Sequence, residues 1–305
     1  MYKPKHTLGK DTGMREEEGH IDVPGGQVWY KVVGSGESVP LLTLHGGPGG
    51  GHDYLEPLNA LASERPVVFF DQLGCGKSDT PDDVSLWRID RFVDEVTAVR
   101  DALGLDRIHL LGHSWGGWLA IEYMLGAPSG VVSLTLASTS ASIPQFVCEA
   151  GTLISELPRE MAETMRRLEA EGDFENPEFE AGMMEFYKRH LCRLDPWPAP
   201  IMRSLENLDG NVVYETMNGP TEFTVIGNMK DWNRIEKLGE IVAPTLITCG
   251  RYDELTPTCS RTLRQGIMNS RMHVFERSAH MAHLEETESY LQILSEFLRD
   301  FDQVG

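Results

Sequence analysis

The sequence predicts an α/β protein: a mostly parallel central sheet flanked by helices, interrupted by an all-helical insert. Three observations carry this. Short β-rich runs alternate with helical patterns over the first part of the chain. The same alternation returns after about residue 237. Between them, over 143–236, no strand series is visible, only helical stretches broken by Pro158, Pro177, Pro196, Pro198, Pro200 and Pro220.

The elements follow in order. Residues 1–20 are polar and lack the apolar stretch of a secretory signal, so they read as a flexible leader, and a cytoplasmic location is expected. The α/β core is assigned to 21–142 and 237–305, and the helical cap to 143–236. Residues 28–33 read as a strand, and 40–44 as a strand that stops at a glycine-rich loop. A third strand is expected over 67–70. Residues 86–103 form an amphipathic helix with Phe92, Val96, Val99 and Leu103 on one face. A buried strand over 108–111, a helix over 116–125 and a strand over 131–137 come next. After the cap, strands are expected at 245–249 and 272–275 and a final helix at 290–301. No internal repeat is present.

Composition bounds the function. With 305 residues, 41% apolar and 24% charged, the chain can bury a sizeable core. No run approaches the ~18 apolar residues that a membrane helix needs. A formal charge of −20 repels phosphate backbones, which disfavours nucleic-acid partners and mildly favours a cationic substrate. The 5 cysteines are scattered and never form C-x-x-C, so reduced thiols are expected rather than a disulfide framework or zinc cluster.

The chemistry-bearing motif is Gly112-His113-Ser114-Trp115-Gly116. It fits G-x-S-x-G, with a strand before and a helix after, as the nucleophile elbow of the α/β-hydrolase fold requires. Flanking glycines let neighbouring backbone pass close to a sharp turn that projects the Ser114 hydroxyl. The loop His45-Gly46-Gly47-Pro48-Gly49-Gly50 stands where this fold supplies an oxyanion donor, so the backbone N–H groups of Gly47 and Trp115 are the candidate pair. Gly74-Cys75-Gly76-Lys77-Ser78 is not a phosphate loop, because Asp71 occupies the position of its first glycine. Chain order in this fold is serine, acid, histidine. Asp253 follows the strand at 245–249 and His280 follows the strand at 272–275, which makes them the candidate acid and base. Glu254 and His283 are the rivals, the latter expected one turn into the next helix. His45, His109 and His113 read as packing or loop-shaping residues.

With these motifs, Asp71-Gln72-Leu73-Gly74-Cys75-Gly76-Lys77-Ser78 and the cap segment Met217-Asn218-Gly219-Pro220-Thr221-Glu222-Phe223, the chain resembles the prolyl aminopeptidase (proline iminopeptidase) family, tricorn-interacting aminopeptidases included. The resemblance runs from about Gly19 to the C-terminus. It implies a serine aminopeptidase that releases an N-terminal residue, often proline, from small peptides or amino-acid amides. It also implies that Glu222 and Glu254 hold the substrate's free amine. A buried ammonium needs such opposing charge, although Glu222 taken alone reads as a solvent-facing residue. Trp115, Trp232 and Phe146 are candidates for gripping a proline ring. A related amidase, esterase or aminoacyl transferase with the same triad is the alternative. A non-enzymatic binding relative is disfavoured because every triad position is filled. No metal or organic cofactor is expected, and nothing in the sequence sets the oligomeric state.

Overall fold

A computed structural model of the chain describes residues 16–303. Eight strands form one sheet: β1 (Glu16–Val23), β2 (Gly26–Val33), β3 (Leu41–Leu44), β4 (Val67–Phe70), β5 (Ile108–His113), β6 (Val131–Ala137), β7 (Thr245–Gly250) and β8 (Ser270–Phe275). Their spatial order is β1-β2-β4-β3-β5-β6-β7-β8. β1 and β2 pair antiparallel, β2 meets β4 antiparallel, and from β4 to β8 every pairing is parallel.

The inner parallel strands β3, β4, β5 and β7 are buried at every residue and mostly apolar, because helices cover both faces. Side chains of a strand alternate between faces. On one face Leu42, Val68, Phe70, Leu110 and Leu134 pack against Phe92, Val96 and Val99 of α1 (Ile89–Ala102) and against Trp115 and Leu119 of α2 (Trp115–Leu125). On the other, Leu41, Val67, Phe69, Leu111 and Leu246 meet Tyr290, Leu294 and Phe297. Each fully buried side chain of this kind contributes roughly 1.5–3 kcal/mol.

Between β6 and β7 the chain forms α3 (Ile143–Ser155), α4 (Arg159–Glu171), α5 (Pro177–His190), α6 (Ala199–Leu208) and α7 (Val212–Met217). The insert leaves and returns at one stem, where Ile143 N–H donates to Trp232 O at 3.0 Å and Arg234 N–H to Ala141 O at 2.7 Å. Its apolar residues Phe146, Met165, Phe179, Phe186, Phe223 and Trp232 join the same core cluster as α1 and α2. After β7 come α8 (Pro257–Gly266), α9 (Ala282–Glu285) and α10 (Thr287–Arg299).

Two expectations need correction. The leader assigned to 1–20 ends earlier, since Glu16–His20 belongs to β1, paired residue for residue with β2; residues 1–15 lie outside the described residues. This edge strand is solvent-facing over most of its length, so its sequence, Glu-Glu-Glu-Gly-His, lacks the apolar alternation by which strands are recognised. The helix expected from 86 begins at Ile89, after a separate 3₁₀ turn over Val84–Leu86 that the Asp83 side chain caps. Besides β1, the elements that went unread include a 3₁₀ segment over Asp53–Ser63, disguised by Pro57, and α8. The latter carries a readable start in Thr256, whose hydroxyl accepts from Thr258 N–H, followed by Pro257 at the first helical position. No helix among the described residues is long and apolar enough to cross a membrane.

Candidate active site

Ser114 sits between β5 and α2 at φ 56° and ψ −125°, a conformation that costs a non-glycine residue about 1–3 kcal/mol. The surrounding glycines allow it. A Cβ on Gly112 would lie 2.2 Å from Gly116 O, and one on Gly116 would lie 2.0 Å from Leu44 O, so the elbow can close only without side chains at both positions. The turn leaves the Trp115 N–H at the start of α2, where helix N–H groups have no partner within the helix.

The glycine loop after β3 is placed by a relay. Gly46 N–H donates to Tyr54 Oη at 2.7 Å; Tyr54 Oη–H donates to His113 Nδ1 at 3.0 Å; His113 Nε2–H donates to the backbone oxygen of His280 at 3.1 Å. The proton assignment follows from this network. One chain of hydrogen bonds thus links the loop, the strand carrying Ser114 and the histidine. Gln72 braces the loop from below: its amide nitrogen donates to His45 O at 3.0 Å, and its side-chain oxygen accepts from the Trp115 indole at 2.8 Å. The N–H groups of Gly47 and Trp115 find no hydrogen-bond acceptor among the described residues, and Gly46 and Gly47 line a cavity together with Ser114.

Asp253 and His280 stand at the carboxyl ends of β7 and β8. His280 Nδ1 is 2.8 Å from Asp253 Oδ1, which also accepts from Leu255 N–H at 3.0 Å; Asp253 Oδ2 is buried without a partner. The cap helps to hold both loops. At the C-terminal end of α5 the His190 carbonyl accepts from Glu254 N–H at 3.2 Å and from His280 N–H at 3.1 Å, while His190 Nδ1–H donates to Tyr252 O at 2.8 Å. His280 and Ser114 face one cavity of about 320 Å³. No hydrogen bond joins them; catalytic contacts often tighten only when substrate is present. His283, the rival base, is turned away in α9 and bonds Tyr54 O through Nε2 at 2.9 Å.

The electrostatics of the cavity are dominated by carboxylates. Burial pulls the His280 pKa down, but the charges of Asp253 and Glu254, the bond to Asp253 and the charge of Glu222 together bring it to about 9. Glu254 is 1% exposed, and its Oε2 has no partner. Burial first and the charge of Glu222 second push its carboxyl well above the usual range. Glu222 comes from the loop after α7, is half-buried at the cavity wall, and accepts from Tyr214 Oη–H at 3.1 Å; burial raises its pKa as well. Two desolvated glutamates and an imidazole therefore share one enclosure, an arrangement suited to a cation.

Other sequence candidates lie elsewhere. Trp115, Trp232 and Phe146 do not line the cavity. The Trp115 indole is bound to Gln72, the Trp232 indole to Glu122 at 2.6 Å, and Phe146 packs on Trp118. The aromatic lining is instead Tyr54, Tyr187 and Tyr214. No local pattern marked these tyrosines, because their roles depend on partners distant in the chain. Among the described residues one group, His52, Asp53 and Glu56, is close enough to hold a metal ion. It is already committed, however: His52 Nδ1 to Asp71 at 2.8 Å, and both acids to Arg203.

A doubly covered parallel sheet with a serine elbow, an acid after β7 and a histidine after β8 defines an α/β hydrolase, and the model of the alpha/beta hydrolase fold family matches residues 39–287. The proline iminopeptidase of Heyndrickxia coagulans is 44% identical over 92% of this chain and 98% of its own length. That of Saccharolobus solfataricus is 43% identical, covering 97% and 95%. The crystal structure of proline iminopeptidase from Mycobacterium smegmatis matches with a TM-score of 0.89 at 37% identity, covering 94% of this chain and 99% of that one. The chain belongs to the proline iminopeptidase family.

Proposed function

We propose that this chain is a serine aminopeptidase that releases an N-terminal residue, proline above all, from small peptides or amino-acid amides. The observation that carries the reading is the pair Glu222, half-buried, and Glu254, buried, which line the same cavity as Ser114 and His280. A free α-ammonium held between these carboxylates leaves the carbonyl of the first residue over the serine, and the cap closes the space beyond. The naming of the similar proteins as proline iminopeptidases supports the same substrate.

In this reading His280 accepts the Ser114 hydroxyl proton as Oγ attacks the carbonyl, and Asp253 holds the ring with Nδ1–H inward. The oxyanion meets the N–H groups of Gly47 and Trp115, each such donor being worth roughly 3–4 kcal/mol in the transition state. His280 then gives its proton to the leaving amine, and water repeats the sequence on the acyl-enzyme. The test is a panel of aminoacyl arylamides with free and acetylated amino groups. Free-amine substrates should be cleaved, prolyl fastest. Ser114→Ala should lose several orders of magnitude in kcat with an unchanged melting temperature. Equal turnover of acetylated substrates would remove the amine clamp, and a fully active Ser114→Ala would remove the mechanism.

A further inference from the structure

The ring nitrogen of His280 that Asp253 does not hold faces a carboxylate, in the cavity that His280 shares with Ser114. This atom, Nε2, lies 3.7 Å from Glu254 Oε1, an ion pair too long for a hydrogen bond, while Ser114 Oγ is bonded to neither. Three acids and two histidines surround this ring: Asp253 and Glu254 from the loop after β7, Glu222 from the cap, His113 from β5 and His283 from α9. Both neighbouring histidines have lowered pKa values, chiefly through burial, and so are neutral at pH 7. The sign of the field on His280 is therefore set by Asp253 first and by the glutamates second; burial raises the pKa of Glu254 and of Glu222, and the positive charge of a protonated His280 opposes that rise in both. The negative end of α5 adds to the field, since the His190 carbonyl sits on the His280 N–H.

We propose that Glu254 gates the general base: with the site empty it keeps a proton on His280 Nε2, and the substrate's ammonium, by neutralising Glu254 and Glu222, releases that proton to water and frees Nε2 for the Ser114 hydroxyl. One cation enters and one proton leaves, so the charge of the enclosure is conserved. The free amine thus acts in turnover as well as in binding. A ligand without it meets an enzyme whose base is occupied; with a pKa near 9, only about 1% of the imidazole is free at pH 7. The gate rests on the amine-clamp reading and adds to it a coupling between clamp and base.

The experiment compares wild type with Glu254→Gln on a prolyl arylamide and on p-nitrophenyl acetate, which has no amine, across pH 6–10. In wild type the acetate rate should rise with an apparent pKa near 9, whereas kcat for the prolyl substrate, which reports the occupied site, should rise about three units lower. Glu254→Gln should raise the acetate rate at pH 7 about tenfold or more, one unit of pKa being tenfold in free imidazole. Its KM for the prolyl substrate should rise. As a second measurement, the Ser114→Ala protein is titrated with prolinamide at pH 7 in buffers of different ionisation enthalpy, and binding should release close to one proton. Binding without proton release, or an acetate profile unmoved by Glu254→Gln, overturns the gate and leaves the clamp standing. An unchanged prolyl KM in Glu254→Gln overturns the clamp and the gate with it.

Discussion

Asp253→Asn is the sharpest probe of the proposed triad, and its cost can be worked from the contacts. Asp253 Oδ1 receives two hydrogen bonds, from His280 Nδ1–H and from Leu255 N–H, while Oδ2 is buried with none. An asparagine that keeps its oxygen on both donors leaves its amide hydrogens buried without acceptors, which costs about 1–3 kcal/mol. The opposite flip sets the amide N–H groups against Leu255 N–H and turns the imidazole to the wrong tautomer. Either way the carboxylate that steadies the imidazolium is gone, and the largest of the influences raising the His280 pKa goes with it. Loss of the acid in such a triad removes roughly 10⁴ from kcat, or ~5.5 kcal/mol of barrier at about 1.36 kcal/mol per tenfold. The assay is kcat on a prolyl arylamide from pH 6 to 9, with circular dichroism melting as the fold control. A loss below tenfold throughout that range, in a folded variant, would refute the role given to Asp253.

Three further outcomes are expected. Tyr54→Phe keeps the ring but breaks the relay from Gly46 to His113, so kcat should fall by up to about 100-fold through a shift of the glycine loop proposed to bind the oxyanion; unaltered kcat would show the relay to be idle. Gly116→Ala puts a methyl 2.0 Å from Leu44 O and 2.8 Å from His45 O, both backbone, and should destabilise the fold by ~3 kcal/mol in urea titrations; an unmoved midpoint would contradict the packing. Acid should destabilise the protein between pH 6.5 and 4. Burial lowers the pKa of His109 and His283 to about 4, so these groups bind protons more readily unfolded, and stability present above 6.5 is lost as pH falls through 4. Each contributes at most about 3 kcal/mol. His280, raised to about 9, acts in the opposite sense and in a different window, from 6.5 upward. Melting temperatures should therefore drop on acidification, less steeply in His283→Gln, and a flat profile would contradict the buried neutral rings.

The parallel strands and the two helices beside the elbow were legible because both faces of β3, β4, β5 and β7 are covered, which writes burial into the sequence as apolar runs. β1 was not, since an exposed edge strand is held by backbone pairing that any polar sequence can make. His113 has the packing and loop-shaping part expected of it, but through partners far away in the chain. Its two ring nitrogens join Tyr54 to the histidine loop, and nothing near residue 113 announces either partner.

The sequence by itself determined the order strand–serine–helix, the glycines that let the elbow close, and the acid and histidine after successive strands, because each is a short-range requirement of backbone geometry. Only the tertiary structure decided which tyrosines wall the cavity, that the end of α5 braces the loops carrying Glu254 and His280, and that Glu254 stands 3.7 Å from His280 Nε2. Those depend on how the insert folds back over the sheet. Electrostatic coupling falls off with distance through space, and separation along the chain does not predict that distance.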